Sequence, residues 1–412
     1  MFVGKGGVGK TTVAAKAALD ASLSGERTLI VSFDQAHSLL DVMDVSAPSA
    51  RRGSVVPVTE HLDLMELDTL ALVESSYRAL SVILAVAKTG HEHGVRFGAI
   101  DPEEVVGAPG VQEVLGLDRI VGLVGENRWD AVFVDLPATA DALRTLQLPD
   151  LVCGYLDRLW PQHDRVVAGT GTDPRLTVVV AMVERVAATA EGVRDLLFDS
   201  ERTSATLVVT PEAVGLAEAR RTLSAAALMG LGIDTVIVNK VLPNLNSASI
   251  GLVGAHPAVF WFEGWRASQQ SVLTDITQAA AHLSVVIVER APHEPVGLAS
   301  LGALVSENEH EPSPRAPGLF ARANRRDSRT VVAHESGAGL ESVYTMTMHL
   351  PVVDPSTLTL GRVEDDVIIG ADGARTRVRL ASVLRRCEVV GAEFDAEDLV
   401  VRFMPDPNVW PA

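Results

Sequence analysis

Gly4-Lys5-Gly6-Gly7-Val8-Gly9-Lys10-Thr11 decides the fold of this chain. The stretch fits G-x-x-x-x-G-K-[ST], a phosphate loop that joins a strand to a helix. Its four glycines let successive backbone N–H groups turn toward one anion without Cβ clashes. A helix opening near Lys10 adds the positive end of its dipole. Lys10 is placed to reach the β- and γ-phosphates, and the Thr11 hydroxyl to hold Mg²⁺. Only Met1, Phe2 and Val3 precede the loop, so its leading strand is expected to be very short or to start upstream.

Outward from the loop, residues 1–305 alternate between strand and helix patterns. Strand candidates, most of them short β-branched apolar runs, stand at Thr28–Phe33, Leu62–Leu67, Ala131–Asp135, Thr206–Thr210, Thr235–Asn239 and Ser284–Glu289. Such runs suit parallel strands covered on both faces. Ala- and Leu-rich helical stretches lie between them, including Thr12–Ser24 ended by Gly25 and Gly215–Met229 ended by Gly230. Alternating βα units predict an α/β fold with a doubly wound, mostly parallel sheet. Helical elements are expected at about residues 70–115 and 151–200.

Residues 306–340 are polar and contain Pro312, Pro314 and the basic cluster Arg322–Arg326, which reads as a linker. From residue 341 to 412 the pattern has period two, beginning with Tyr344–Leu350. Short runs follow at Leu358–Leu360, Val367–Ile369, Thr376–Leu380, Glu388–Val390 and Leu399–Phe403. Gly370-Ala371-Asp372-Gly373 is a turn signal between two of them. This predicts an all-β sandwich of about 70 residues, near the lower size for independent folding. No internal repeat is found.

The chain has 412 residues, enough for two to three domains of roughly 150 residues. Lys and Arg total 35 against 53 Asp and Glu, a net charge of −18. That balance argues against a nucleic-acid partner, which needs a basic stripe, and against docking on an anionic membrane. With 47% hydrophobic and 21% charged residues the chain is a folded globule. Two cysteines, Cys153 and Cys387, cannot build a disulfide framework or a four-cysteine zinc site and fit a reducing cytoplasm. The longest apolar runs, Leu80–Ala87 and Leu176–Val183, are far short of the roughly 20 residues of a membrane helix. No signal peptide is expected, because no basic segment followed by an apolar stretch opens the chain.

Three further polar residues stand where apolar strands end. Asp34 follows Leu29–Phe33, and a carboxylate there faces the ligand crevice or caps the next helix. Asp135 ends Ala131–Val134, and Asn239 ends Thr235–Val238. An amide such as that of Asn239 can pair with an amino group and a ring nitrogen at once. The polar triplet His91-Glu92-His93 reads as solvated rather than as a metal site. Eight methionines do not suggest a Met-lined groove. Leu70–Ala87 and Leu151–Leu197 either form an apolar surface or pack on the sheet.

Gly4–Thr12, Ser32–Ser38, Asp135–Gln147 and Val238–Pro243, in this order, resemble the ArsA-type ATPase family. That family includes arsenite-pump ATPases and ATPases that target tail-anchored membrane proteins. The resemblance spans about residues 1–305 and includes Pro109–Glu113 and Arg266–Gln270. The C-terminal module is similar to the α-crystallin-like domain carried by one branch of the family.

The resemblance implies a cytoplasmic P-loop ATPase that uses ATP and Mg²⁺ and works as a homodimer. Lys5, directly after the first glycine, marks a deviant Walker A loop whose extra lysine reaches the partner subunit's nucleotide. Lys5, Lys10 and Asp34 become the catalytic residues, with Asp34 orienting the attacking water. Thr11 and Asp135 become the metal residues. Gly4–Thr12 and Asn239 hold the nucleotide, Asn239 reading adenine, and Pro292 and His293 wall the base.

The family's usual second switch is Asp-Thr-Ala-Pro-Thr-Gly-His-Thr-Leu-Arg. Here Asp135–Arg144 has Ala140 for the glycine and Asp141 for the histidine, and in the first switch Gln35 replaces a proline. A less flexible, more acidic second switch predicts slow hydrolysis. No Cys-x-x-Cys is present to clip a dimer with zinc. The expected output is a conformational change that handles an apolar polypeptide or a partner protein. The alternatives are a nucleotide-gated scaffold with little turnover and the ATPase subunit of an anion pump, against which the missing thiols count.

Overall fold

The computed structural model describes residues 1–34, 38–45, 53–86, 110–171, 174–244, 256–304, 306–308, 330–351, 353–395 and 397–410. Gln35, His37, the His91-Glu92-His93 triplet, Pro109 and residues 309–329 of the polar stretch lie outside the described residues. The chain divides into two compact units. One comprises Met1–Phe2, Lys10–Arg202 and Pro295–Ala303; the other comprises Val3–Gly9, Thr203–Glu294 and Leu304–Ala412.

The strands of the first unit are β1 (Phe2–Gly4, which begins here), β2 (Thr28–Ser32), β3 (Val56–Pro57), β4 (Leu62–Glu66) and β5 (Ala131–Asp135). Strand β2 pairs in parallel with β4 on one side and with β5 on the other. Phe2 pairs in parallel with Asp135, and β3 runs antiparallel to β4. All five residues of β2 are buried, which its Leu-Ile-Val centre permits. The register sets Ser32, Glu66 and Asp135 level at the carboxyl ends of their strands.

Helix α1 (Lys10–Leu23) follows the loop, and its buried Ala14, Ala15, Ala17 and Ala18 let it lie close to β2 and β5. Other helices of this unit include α2 (Leu39–Met43), α3 (Thr69–Val86), α4 (Val111–Gly125), α5 (Thr139–Leu159), α6 (Gln162–Gly169) and α7 (Pro174–Leu197).

In the second unit β6 (Ala205–Val209), β7 (Ile233–Val241) and β8 (Ser284–Glu289) are parallel, and β9 (Ser306–Asn308) joins β8 antiparallel. Helices α8 (Ala213–Met229) and α9 (Pro257–Ala279) connect the parallel strands. With the first unit this makes residues 1–305 an α/β fold of mostly parallel strands.

The rest of the second unit is all-β. Strands β10 (Val331–Ser336), β11 (Val343–His349), β15 (Cys387–Asp395) and β16 (Asp398–Pro405) form an antiparallel sheet in the order β10-β11-β16-β15. Strands β12 (Thr359–Val363), β13 (Asp366–Ala371) and β14 (Ala374–Arg379) form a second. Strand β16 alternates without a break, turning Leu399, Val401 and Phe403 inward. Asp372 and Gly373 both have positive φ, 51° and 81°, as the tight β13–β14 hairpin turn requires.

Two features of the second unit were hidden in the sequence. Strands β9 and β10 fall within the stretch read as linker; every residue of β10 is exposed, so no apolar period marks it. The module's core also includes Leu228 of α8. Beside it the buried Ser224 donates from its hydroxyl to Asp372 Oδ2 at 2.6 Å, so the hairpin turn is fastened to the helix. Among the described residues no helix is long and apolar enough to cross a membrane.

Candidate active site

The glycine loop is held by the second unit. Gly4 runs so close to β6 that a Cβ would collide with the Val208 carbonyl, and at Gly9 (φ 91°) a Cβ would collide with the Asn239 amide. Asn239, buried near the end of β7, donates from Nδ2 to the Val8 carbonyl at 2.8 Å and accepts at Oδ1 from the Lys240 N–H at 2.9 Å. These bonds use one of its two amide hydrogens and one of its two carbonyl lone pairs. Lys240 Nζ donates to the Gly7 carbonyl at 2.6 Å. The Lys5 ammonium lies 3.8 Å from Glu218 Oε2 on α8, and the lysine side chain is half-exposed. Pro292 and His293 are exposed in the loop after β8. That loop leaves beside β7, since the Arg290 N–H donates to the Val241 carbonyl at 2.7 Å.

In the first unit Lys10 and Thr11 open α1, followed by Thr12. Lys10 is buried, and its charge acts on the Asp135 carboxyl. The Thr11 hydroxyl donates to Asp135 Oδ2 at 2.6 Å, and Ser38 donates to the Thr11 hydroxyl at 3.4 Å. Ser38 stands at the N-cap position of α2, but its hydroxyl is turned to Thr11 and makes no capping hydrogen bond. Asp34 lies just past β2 and close enough for its charge to act on Asp135.

Asp135 is fully buried, and among the described residues its Oδ1 has no hydrogen-bond partner; neither does the hydroxyl of Ser32 on the adjacent strand. Burial pushes the Asp135 carboxyl up to about 6. The Thr11 hydrogen bond and the Lys10 charge oppose that rise, and the Asp34 charge adds to it. An orphaned carboxylate oxygen beside a threonine hydroxyl is a set of hard oxygen donors, the kind Mg²⁺ takes. These residues therefore fit a divalent cation, whose charge would reverse the electrostatic cost of the buried carboxylate.

The second switch forms the start of α5. Asp141 sits in the first turn, where a negative charge favours the helix dipole, and lies 3.4 Å from Arg144. The structure thus gathers Lys10, Thr11, Asp34 and Asp135 in one group and the loop glycines with Asn239 in another. Sequence reasoning passed over Glu218, Lys240 and Gln269. Lys240 and Gln269 lay in quoted segments, but nothing in an isolated sequence shows which side chains turn toward the loop.

Residues 1–307 match the anion-transporting ATPase family, and residues 341–403 match the HSP20-like domain found in ArsA. The chain belongs to the ArsA anion-transporting ATPase family. Relatives of this ArsA-family ATPase include Protein Rv2184c of Mycobacterium tuberculosis, 41% identical over 100% of this chain and 97% of that protein. Protein SCO2128 of Streptomyces coelicolor is 28% identical over 100% of this chain and 98% of its own length. The ATPase ASNA1 homolog 1 of Paramecium tetraurelia is 26% identical over 59% of this chain and 74% of its own. Membership makes the chain a nucleotide-binding ATPase.

Proposed function

We propose that this ATPase is a Mg²⁺-dependent homodimeric switch, acting in the cytoplasm, whose nucleotide cycle drives the handling of an apolar polypeptide. The observation that carries the reading is an apolar face on α5, α6 and α7. Leu151, Tyr155, Leu159, Val166, Val167 and Val179 are all exposed there, Leu159 by 80%. Isolated exposed apolar residues are ordinary on a protein surface, but Leu151, Tyr155 and Leu159 recur every fourth residue along one face of α5, a spacing that suits a binding surface.

In this reading Lys10 and the loop N–H groups hold the β- and γ-phosphates. Thr11 and Asp135 hold Mg²⁺, which neutralises charge on the phosphates. Asp34 orients the attacking water, and Lys5 leaves Glu218 to complete the partner subunit's site, where it stabilises developing charge. Asn239 reads adenine with its remaining N–H and lone pair, beside Pro292 and His293. The acidic second switch makes turnover slow. Exposed Phe260, Trp261 and Trp265 on α9, the two indoles stacked at 6.3 Å, suit a contact between subunits.

An anion-pump role is disfavoured by the thiols: burial raises both Cys153 and Cys387 above the ordinary thiol range, against thiolate ligation. The test is binding of a fluorescent apolar helical peptide to the full chain with ATP and with ADP, and to Leu159→Asp/Val167→Asp. Nucleotide-dependent binding that the double variant loses supports the reading. Equal binding by wild type and variant, or none in either nucleotide state, overturns it.

A further inference from the structure

Lys240 stands in a backbone conformation that a strand does not require. Strand β7 pairs with β8 through Val238↔Ile287 and resumes at Val241↔Glu289, so β7 carries one extra residue between the two pairs. Within that bulge Lys240 takes φ 63°. Glycine, asparagine and aspartate enter this left-handed region readily; a lysine there is strained and persists only where its surroundings over-determine it.

Four hydrogen bonds do so. The Lys240 N–H donates to Asn239 Oδ1 at 2.9 Å, and its carbonyl accepts from Gln269 Nε2 at 3.4 Å. Gln269 is itself buried and accepts at Oε1 from the Leu242 N–H at 2.9 Å. At the far end of the side chain Nζ donates to the Gly7 carbonyl at 2.6 Å. The stem is therefore pinned at both ends. Its Cε lies 3.8 Å from the point where a Cβ on Gly9 would stand, so the methylenes lie over the glycine loop.

We propose that this pinned stem is the platform for the nucleobase: the flat ring of the bound nucleoside triphosphate lies against the methylenes of Lys240. The inference rests on the nucleotide site already described and adds the residue that covers the face of the base. Lysine stems make apolar surface while their ammonium groups stay satisfied elsewhere, and this ammonium is engaged by a backbone carbonyl. Immobilising the stem before the ligand arrives removes the rotamer entropy that a free lysine would lose on binding. Asn239, one residue earlier, keeps an N–H and a lone pair for the ring edge. Edge and face recognition thus come from adjacent residues of one bulge, which accounts for the strained backbone that turns Lys240 toward the loop.

The test compares three variants of the full chain by calorimetric titration with ATP and Mg²⁺, with thermal unfolding of the free protein as the folding control. Lys240→Gly and Lys240→Asn suit the left-handed backbone but lack the stem. Lys240→Met keeps an apolar stem and loses the ammonium. Both stemless variants are expected to melt no lower than wild type and to bind ATP about tenfold more weakly, the scale of one base stacked on a side chain. Lys240→Met is expected to stay within about threefold of wild type. Stemless variants that bind as tightly as wild type, or a methionine variant that loses as much as they do, would overturn the platform. Failure of the wild type itself to bind ATP would instead remove the underlying nucleotide site.

Discussion

Replacing Asp135 by Asn should stabilise the free protein, and the pH dependence of that gain tests the electrostatics of the site. The carboxyl titrates at about 6 in the fold against an ordinary 3.8. A raised pKa means that the folded state holds the proton more firmly than the unfolded chain does. The associated stability is complete below pH 3.8 and is lost as pH rises through 6. About two units at 1.36 kcal/mol each give a cost on the order of 3 kcal/mol for keeping the bare carboxylate buried at neutral pH. Asparagine has the same shape, keeps an oxygen for the Thr11 hydroxyl and carries no charge. Urea unfolding in a chelator, from about pH 4 to about pH 8, should show the variant level with wild type at the acid end and more stable by roughly 3 kcal/mol at the alkaline end. Adding Mg²⁺ should stabilise wild type and leave the variant unchanged. A variant less stable than wild type at alkaline pH, or a difference that ignores pH, would refute the buried-charge argument.

Lys10→Ala should weaken ATP binding by about 100-fold or more through loss of charge-assisted phosphate contacts; unchanged affinity by calorimetry would dismiss the loop as the site. Asp34→Asn should bind ATP normally and release phosphate at least about 100-fold more slowly; equal turnover would remove Asp34 from the chemistry. Mixing Lys5→Ala subunits with Lys10→Ala subunits should change ATPase activity non-additively if Lys5 acts across a dimer, and a strict monomer in ultracentrifugation with ATP and Mg²⁺ would exclude that. Leu228→Ala should cost about 2–5 kcal/mol, as for other deleted core leucines; a smaller loss in urea unfolding would place this side chain outside the module's core.

The parallel strands were legible because most are short β-branched runs bounded by polar residues. Ala131–Asp135 and Ser284–Glu289 end where the sequence pattern ends. The phosphate loop was legible because its glycines answer steric demands that only glycine meets, the Val208 carbonyl against Gly4 and the Asn239 amide against Gly9. Strands β9 and β10 were not legible: β9 is three polar residues, and β10, exposed throughout, lacks the alternation of a half-buried strand, so both look like loop until their partners are known. Lys240 escaped for a related reason. Its role depends on a bulge set by pairing with β8 and on a glutamine from α9, and both are non-local. The Leu228 contact also pairs residues far apart along the chain, and in α8 that leucine reads as one more apolar position of an amphipathic helix.

The seating of Leu228 in the β-module bears on how such a chain can change over generations. A module joined only by a tether can be discarded by one premature stop, with the remainder unaffected. Here that event would bare Leu228 and Ala227 on α8 and strand the Ser224 hydroxyl that Asp372 now receives. A shortened descendant therefore needs polar replacements on that stretch of helix before or together with the truncation. Loss of the module and point substitution in α8 are thereby bound into one evolutionary step, and the two parts of the gene are inherited as a unit.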